Sequence, residues 1–109
     1  MITQAPGVSA RLLPWSSADG KPCYVVGDGT GRVSRVADTI EGVQLGMALE
    51  LLDHADDMLD DHQVTSAQLR YVLARMAEAL RDVHRIARSR GDRLAASARD
   101  EGGPGRPQP

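Results

Sequence analysis

The stretch Val25-Val26-Gly27-Asp28-Gly29-Thr30-Gly31-Arg32 ("VVGDGTGR") decides the fold class. Read as a phosphate-cradling loop, it makes the chain a nucleotide-binding α/β protein. Read as a turn, it leaves a smaller α+β arrangement. A phosphate loop needs consecutive backbone N–H groups aimed at the anion and a helix N-terminus behind them. The dinucleotide pattern G-x-G-x-x-G, begun at Gly27, requires glycine where Arg32 stands; begun at Gly29, it requires glycine where Ser34 stands. The Walker pattern lacks its Gly-Lys-Ser/Thr, and too little chain precedes the stretch for a βαβ unit. Asp28-Gly29 and Thr30-Gly31 instead supply the positive-φ residues of a hairpin or a G1 bulge. We read Gly27, Asp28, Gly29 and Gly31 as a structural turn and assign the chain no cofactor.

Upstream, Arg11–Trp15 ("RLLPW") reads as a short strand that Pro14 makes an edge or irregular one. Ser17-Ala18-Asp19-Gly20-Lys21 is a turn signal, and Cys23–Val26, β-branched and aromatic, is the clearest strand. Arg32–Val36 fits either a third short strand or an extended lead-in to a helix.

Downstream, the pattern turns helical. Asp38 with Glu41 three residues on predicts an N-cap and capping box, with a helix over about 39–61. Ile40, Val43, Met47, Leu51, Ala55 and Met58 form one apolar stripe; Leu45, Leu49, Leu52 and Leu59 form a second. A helix apolar on two sides needs two surfaces to pack against. Gly42 and Gly46 predict close approach of another backbone, or a helix that starts after Gly46. Thr65 and Gln68 form a second capping box, opening a helix over about 66–90 with an extension to 99. Its seam is Leu69, Leu73, Met76, Leu80, Val83 and Ala87, widened by Val72 and Ile86. Gly91 predicts an end or a bend. The short connection makes the two helices antiparallel neighbours.

The chain has 109 residues, so one domain is expected, over 11–99, with disordered tails at 1–10 and 100–109. It has no Phe, one Trp and two Tyr, so its core lacks large anchors and self-association as a homodimer is expected. One cysteine, Cys23, precludes an internal disulfide. No apolar run reaches the length of a membrane span and no secretion leader is recognisable, so a cytoplasmic, membrane-free setting is expected.

Net charge is −2 but segregated. Asp38 to His62 holds eight acids and no Lys or Arg, whereas Ser66 to Arg99 holds eight Arg and three acids. Acids in the last turns of a helix oppose its macrodipole. Arg70 and Arg75 on the neighbouring helix, or a basic partner, are the expected compensation for the acidic end around Glu50, Asp53, Asp57 and Asp61. Its carboxylates and His54 have spacings that a divalent metal uses, but a solvated or protein-docking acidic face is the plainer reading, and no metal is assigned. Arg81, Arg85 and Arg88 form an i, i+4, i+7 stripe, for a protein partner or for nucleic-acid phosphates. An acidic chain with no aromatics interleaved favours the former. Arg90-Gly91-Asp92 is a chance adhesion tripeptide, and Cys23 beside Lys21 reads as a strand residue rather than a reactive thiol. No Ser/His/Asp or Cys/His constellation is arguable, so no catalytic residue is assigned.

Leu13-Pro14-Trp15, Gly20-Lys21-Pro22-Cys23-Tyr24, Val26-Gly27-Asp28-Gly29-Thr30-Gly31 and Val43-Gln44-Leu45-Gly46-Met47 resemble a group of short hypothetical proteins of high-GC actinobacteria over residues 11–94. The resemblance implies a compact natural domain with variable tails, and no activity or site residue. The expectation is therefore an α+β fold, a small N-terminal antiparallel hairpin or meander followed by an antiparallel two-helix hairpin. It is expected to act as a non-enzymatic regulatory interaction module, a homodimer meeting a partner through Asp53, Asp57 and Asp61 or Arg81, Arg85 and Arg88. A nucleic-acid-associated protein using the Arg stripe is the alternative.

Overall fold

The computed structural model describes residues 9–27 and 29–101. The order is β1 (Ser9–Ser16), β2 (Pro22–Gly27), α1 (Arg32–Asp60) and α2 (Ser66–Glu101). This is the expected α+β arrangement, an antiparallel two-stranded hairpin followed by two helices. The expected tails fall mostly outside the described residues; where described, Ser9 and Ala10 belong to β1 and α2 runs to Glu101.

The hairpin turns at Ser17–Lys21. Gly20 takes φ +81°, its N–H donates to the Ser17 carbonyl, and the Ser17 N–H donates to the Lys21 carbonyl. From Ser9↔Gly27 to Leu12↔Tyr24 the ladder is regular; it then slips, and Ser16 pairs with Pro22. Pro14 sits inside that slip, as a residue without an N–H must. β1 is buried on both faces here, with Arg11, Leu12 and Leu13 each 5 % exposed. It also turns carbonyls toward the helices: the Ser89 hydroxyl donates to the Leu12 carbonyl at 2.8 Å, and Gln44 Nε2 to the Pro14 carbonyl at 3.0 Å.

The glycine stretch connects β2 to α1 rather than two strands. Gly29 has φ +90°, Gly31 is the extended N-cap of α1, and Asp28 lies outside the described residues. Nor is there a third strand, because Arg32–Val36 is already helix. The expected cap at Asp38 is also corrected. Asp38 and Glu41 lie inside α1 and hold Arg11 of β1, whose Nη2 is 2.7 Å from Asp38 Oδ1 and 3.3 Å from Glu41 Oε2. Arg11 Nη1 donates to the Ser34 carbonyl at 3.1 Å. Glu41 also faces Arg90 and Arg93 of α2, at 3.5 and 3.6 Å. α2 runs on through Gly91, which does not end it. The Thr65–Gln68 capping box forms as expected, with reciprocal bonds of 3.1 and 2.9 Å.

Both helical seams form in part as expected: Ile40, Leu51, Ala55 and Met58 of the first α1 stripe and Val72, Met76, Val83 and Ile86 of α2 are buried or half-buried, and the other expected positions of these two lines are exposed. On α1 the buried or half-buried line is Ser34, Ala37, Glu41, Gln44, Ala48, Leu51, Ala55 and Met58, so Val43 and Met47 are exposed. On α2 it is Val72, Met76, Ala79, Val83 and Ile86, so Leu69, Leu73 and Leu80 are exposed. The expected close approach at Gly42 and Gly46 does not occur: a Cβ on either meets nothing within 4 Å.

Two stability predictions follow from this packing. Glu41 is only 1 % exposed and faces three arginines, so Glu41→Ala leaves Arg11 with the Asp38 carboxylate alone and Arg90 and Arg93 without their carboxylate, and should cost about 3 kcal/mol in urea unfolding; a loss below about 1 kcal/mol would make the cluster peripheral. Gly46→Ala should raise stability by about 1 kcal/mol, because it adds helix propensity and meets no neighbour; a loss would show that another surface needs the glycine.

Candidate functional site

The helical hairpin leaves an apolar groove of about 490 Å³ between α1 and α2, lined by Ala48, Leu51, Leu52, Leu73, Met76, Ala77, Ala79, Leu80 and Val83. The two stripes that the sequence set apart, Leu45–Leu59 on α1 and Leu69–Leu80 on α2, thus fall on one face. Six of its leucines, Leu49, Leu52, Leu59, Leu69, Leu73 and Leu80, are each more than half exposed. Among the described residues the fully buried hydrophobic side chains are Leu12, Leu13, Ala37, Val72 and Ile86. This contiguous exposed apolar surface, larger than the scattered apolar residues of an ordinary surface, makes the face a candidate site.

A second groove, about 720 Å³, runs between the hairpin and α2. Arg81, Arg85 and Arg88 all line it with His84, opposite Leu12, Ser16, Gly20 and Pro22. Arg85 lies 3.6 Å from Asp82, while Arg81 and Arg88 have no ion pair among the described residues. The i, i+4, i+7 spacing places the three guanidinium groups together; the wall that makes the groove comes from the hairpin, far away in sequence. This groove borders the leucine face, since Ala77 and Leu80 line both.

The acidic candidates divide. Asp57 and Asp61 line a groove of about 500 Å³ near the α1–α2 connection, with His54, Met58, Gln68 and Tyr71, whereas Asp53 lies outside it. The Asp61 carboxylate accepts the Gln63 N–H at 2.9 Å. The expected compensation across the hairpin does not form. Arg75 pairs with Glu78 on its own helix at 2.7 Å, and Arg70 has no ion pair among the described residues. The last turn of α1 carries no basic residue, so its acids face an uncompensated negative helix end. Among the described residues no group of three or more His, Cys, Asp or Glu is placed to hold a metal.

Sequence reasoning missed the charged cluster built on the buried Arg11 and Glu41, with Asp38, Arg90 and Arg93 around them. Desolvation holds the Arg93 guanidinium below its ordinary pKa, as does neighbouring Arg11, against the opposing pull of Glu41 and Asp38. The signal was present: Ser34, Ala37, Glu41 and Gln44 continue the 3-4 spacing of the buried line, which puts a carboxylate where a core residue belongs. Cys23 is free and half-buried in β2. No described helix is long and apolar enough to cross a membrane. Comparison with family models, curated proteins and solved structures returns no match to the chain.

Proposed function

We propose that this chain is a non-enzymatic, regulatory protein-interaction module of the cytoplasm that acts as a homodimer. The leucine face is the observation that carries the reading. Covering the exposed half of six leucines on each of two protomers is worth about 12 kcal/mol at about 1 kcal/mol each. Association costs at least about 4 kcal/mol. The difference is at most about 8 kcal/mol, so micromolar is the tightest dimer this face supports. With this face shared between protomers, the tip groove of Asp57, Asp61 and Tyr71, on the other side of the hairpin, stays open for a partner's basic segment. A single unpaired cysteine suits a reducing compartment.

Light scattering across micromolar concentrations tests the dimer. The wild type should have twice the chain mass, and Leu73→Glu should weaken association by at least about 2 kcal/mol while leaving the helical circular dichroism unchanged. A wild-type monomer throughout would end the reading.

A second reading, a nucleic-acid-associated protein, draws on Arg81, Arg85, His84 and Arg88 lining one groove. Against it stand the net negative charge and a groove lined, among the described residues, by no Phe, Tyr or Trp. Anisotropy with duplex DNA and single-stranded RNA separates the two. The interaction module should show no binding that Arg81→Ala, Arg85→Ala and Arg88→Ala together abolish. Binding that falls steeply with salt and vanishes in that variant would put nucleic acid first.

A further inference from the structure

The leucine face has two rims of opposite charge. A helix turns by roughly 100° per residue, so each rim can be placed from the buried line of its helix. On α1, Asp56 lies one turn beyond Leu52, and Asp53 and Asp60 follow it on the edge away from α2. On α2, Arg70 and Arg81 lie on the edge away from α1, beside Leu73 and Leu80. All five are exposed, and none has an ion pair among the described residues. Both helices stand between the rims, so a protomer cannot join them.

We infer that a second copy of this chain seats on the face with its twofold axis parallel to the helices, so that α1 of one protomer lies over α2 of the other and both hairpin tips point the same way. This rests on the homodimer reading above and specifies its geometry. Rotation about such an axis keeps every residue at its own height. Asp56 is four residues from the end of α1 at Asp60, and Arg70 is four residues from the start of α2 at Ser66. Each therefore sits about 6 Å in from the tip at 1.5 Å per residue, and Asp56 of one protomer meets Arg70 of the other, twice per dimer. The acid-laden C-terminal end of α1 also comes over the N-terminal end of its partner's α2, where the macrodipole favours negative charge. A twofold axis running across the helices would instead stack α1 on α1 and α2 on α2, setting like-charged rims side by side.

The test is a charge swap on the full chain, read as the dimer dissociation constant by sedimentation. Asp56→Arg alone and Arg70→Asp alone each turn two attractions into two repulsions, so each should weaken self-association about tenfold. An equimolar mixture of the two variants regains opposite charges at both contacts and should dimerise as tightly as wild type. So should the chain carrying both changes. The differences should be large at about 0.01 M salt and close at about 1 M, where the screening length falls from about 30 to about 3 Å. Circular dichroism of each variant reports its fold, and the doubly changed chain carries the test should a single reversal fail to fold. A mixture no tighter than its components, or a doubly changed chain that stays weak beside a dimeric wild type, overturns this geometry while leaving the homodimer standing. A wild type that is monomeric at every concentration overturns both.

Discussion

One buried carboxylate holds this fold together. Glu41 faces Arg11 from β1 and Arg90 and Arg93 from α2, within 3.6 Å of each. A carboxylate taken out of water is tolerated only when paired and hydrogen-bonded. Three elements must therefore converge on one point of α1. The hairpin is placed there through Arg11, which also reaches Asp38 and the Ser34 carbonyl. The C-terminal part of α2, continuous across Gly91, is placed there through Arg90 and Arg93. Contacts from freed β1 carbonyls to Ser89 and Gln44 then close the junction.

What was legible in the sequence was local. The Ser17–Lys21 turn, the irregular strand at Pro14, the Thr65–Gln68 cap and two antiparallel helices each depend on residues a few positions apart. So does the Arg81, Arg85, Arg88 stripe, which helix arithmetic alone brings together. The errors share one cause. Asp38 and Glu41 have the spacing of a capping box, but that spacing also suits two carboxylates reaching one guanidinium, and the guanidinium is about thirty residues away on β1. Asp53, Asp57 and Asp61 look equivalent in the sequence; only the position of α2 separates the pair in the tip groove from Asp53 outside it. The hairpin wall of the arginine groove is non-local for the same reason.

The phase of the helical seams follows from the same carboxylate. α1 carries more apolar residues than one buried line can use, so hydrophobicity alone does not select which stripe turns inward. Apolar burial is non-directional; an ion pair with fixed partners is not. Once Glu41 must face Arg11, Arg90 and Arg93, the line through Ala37, Gln44, Ala48 and Leu51 goes inside with it. Leu49, Leu52 and Leu59 are then turned out, and the matching phase on α2 turns out Leu69, Leu73 and Leu80. The sequence pattern found Leu51, Ala55, Met58, Val72, Met76, Val83 and Ile86 of the buried lines, and missed the polar positions Ser34, Glu41 and Gln44 that carry the α1 line toward the hairpin.

The leucine face is thus a consequence of how the protomer locks its own hairpin. The core left inside is small and has no large aromatic anchor, so the protomer alone is marginal for its size. A surface of this kind links folding to association: any second copy that covers the leucines binds only the folded state and stabilises it by mass action. Segregated charge then sets orientation more than affinity, because exposed ion pairs contribute little energy but penalise the wrong juxtaposition. In this chain the buried charge selects which leucines face outward, and in the proposed homodimer the exposed charges around them set how the second copy lies.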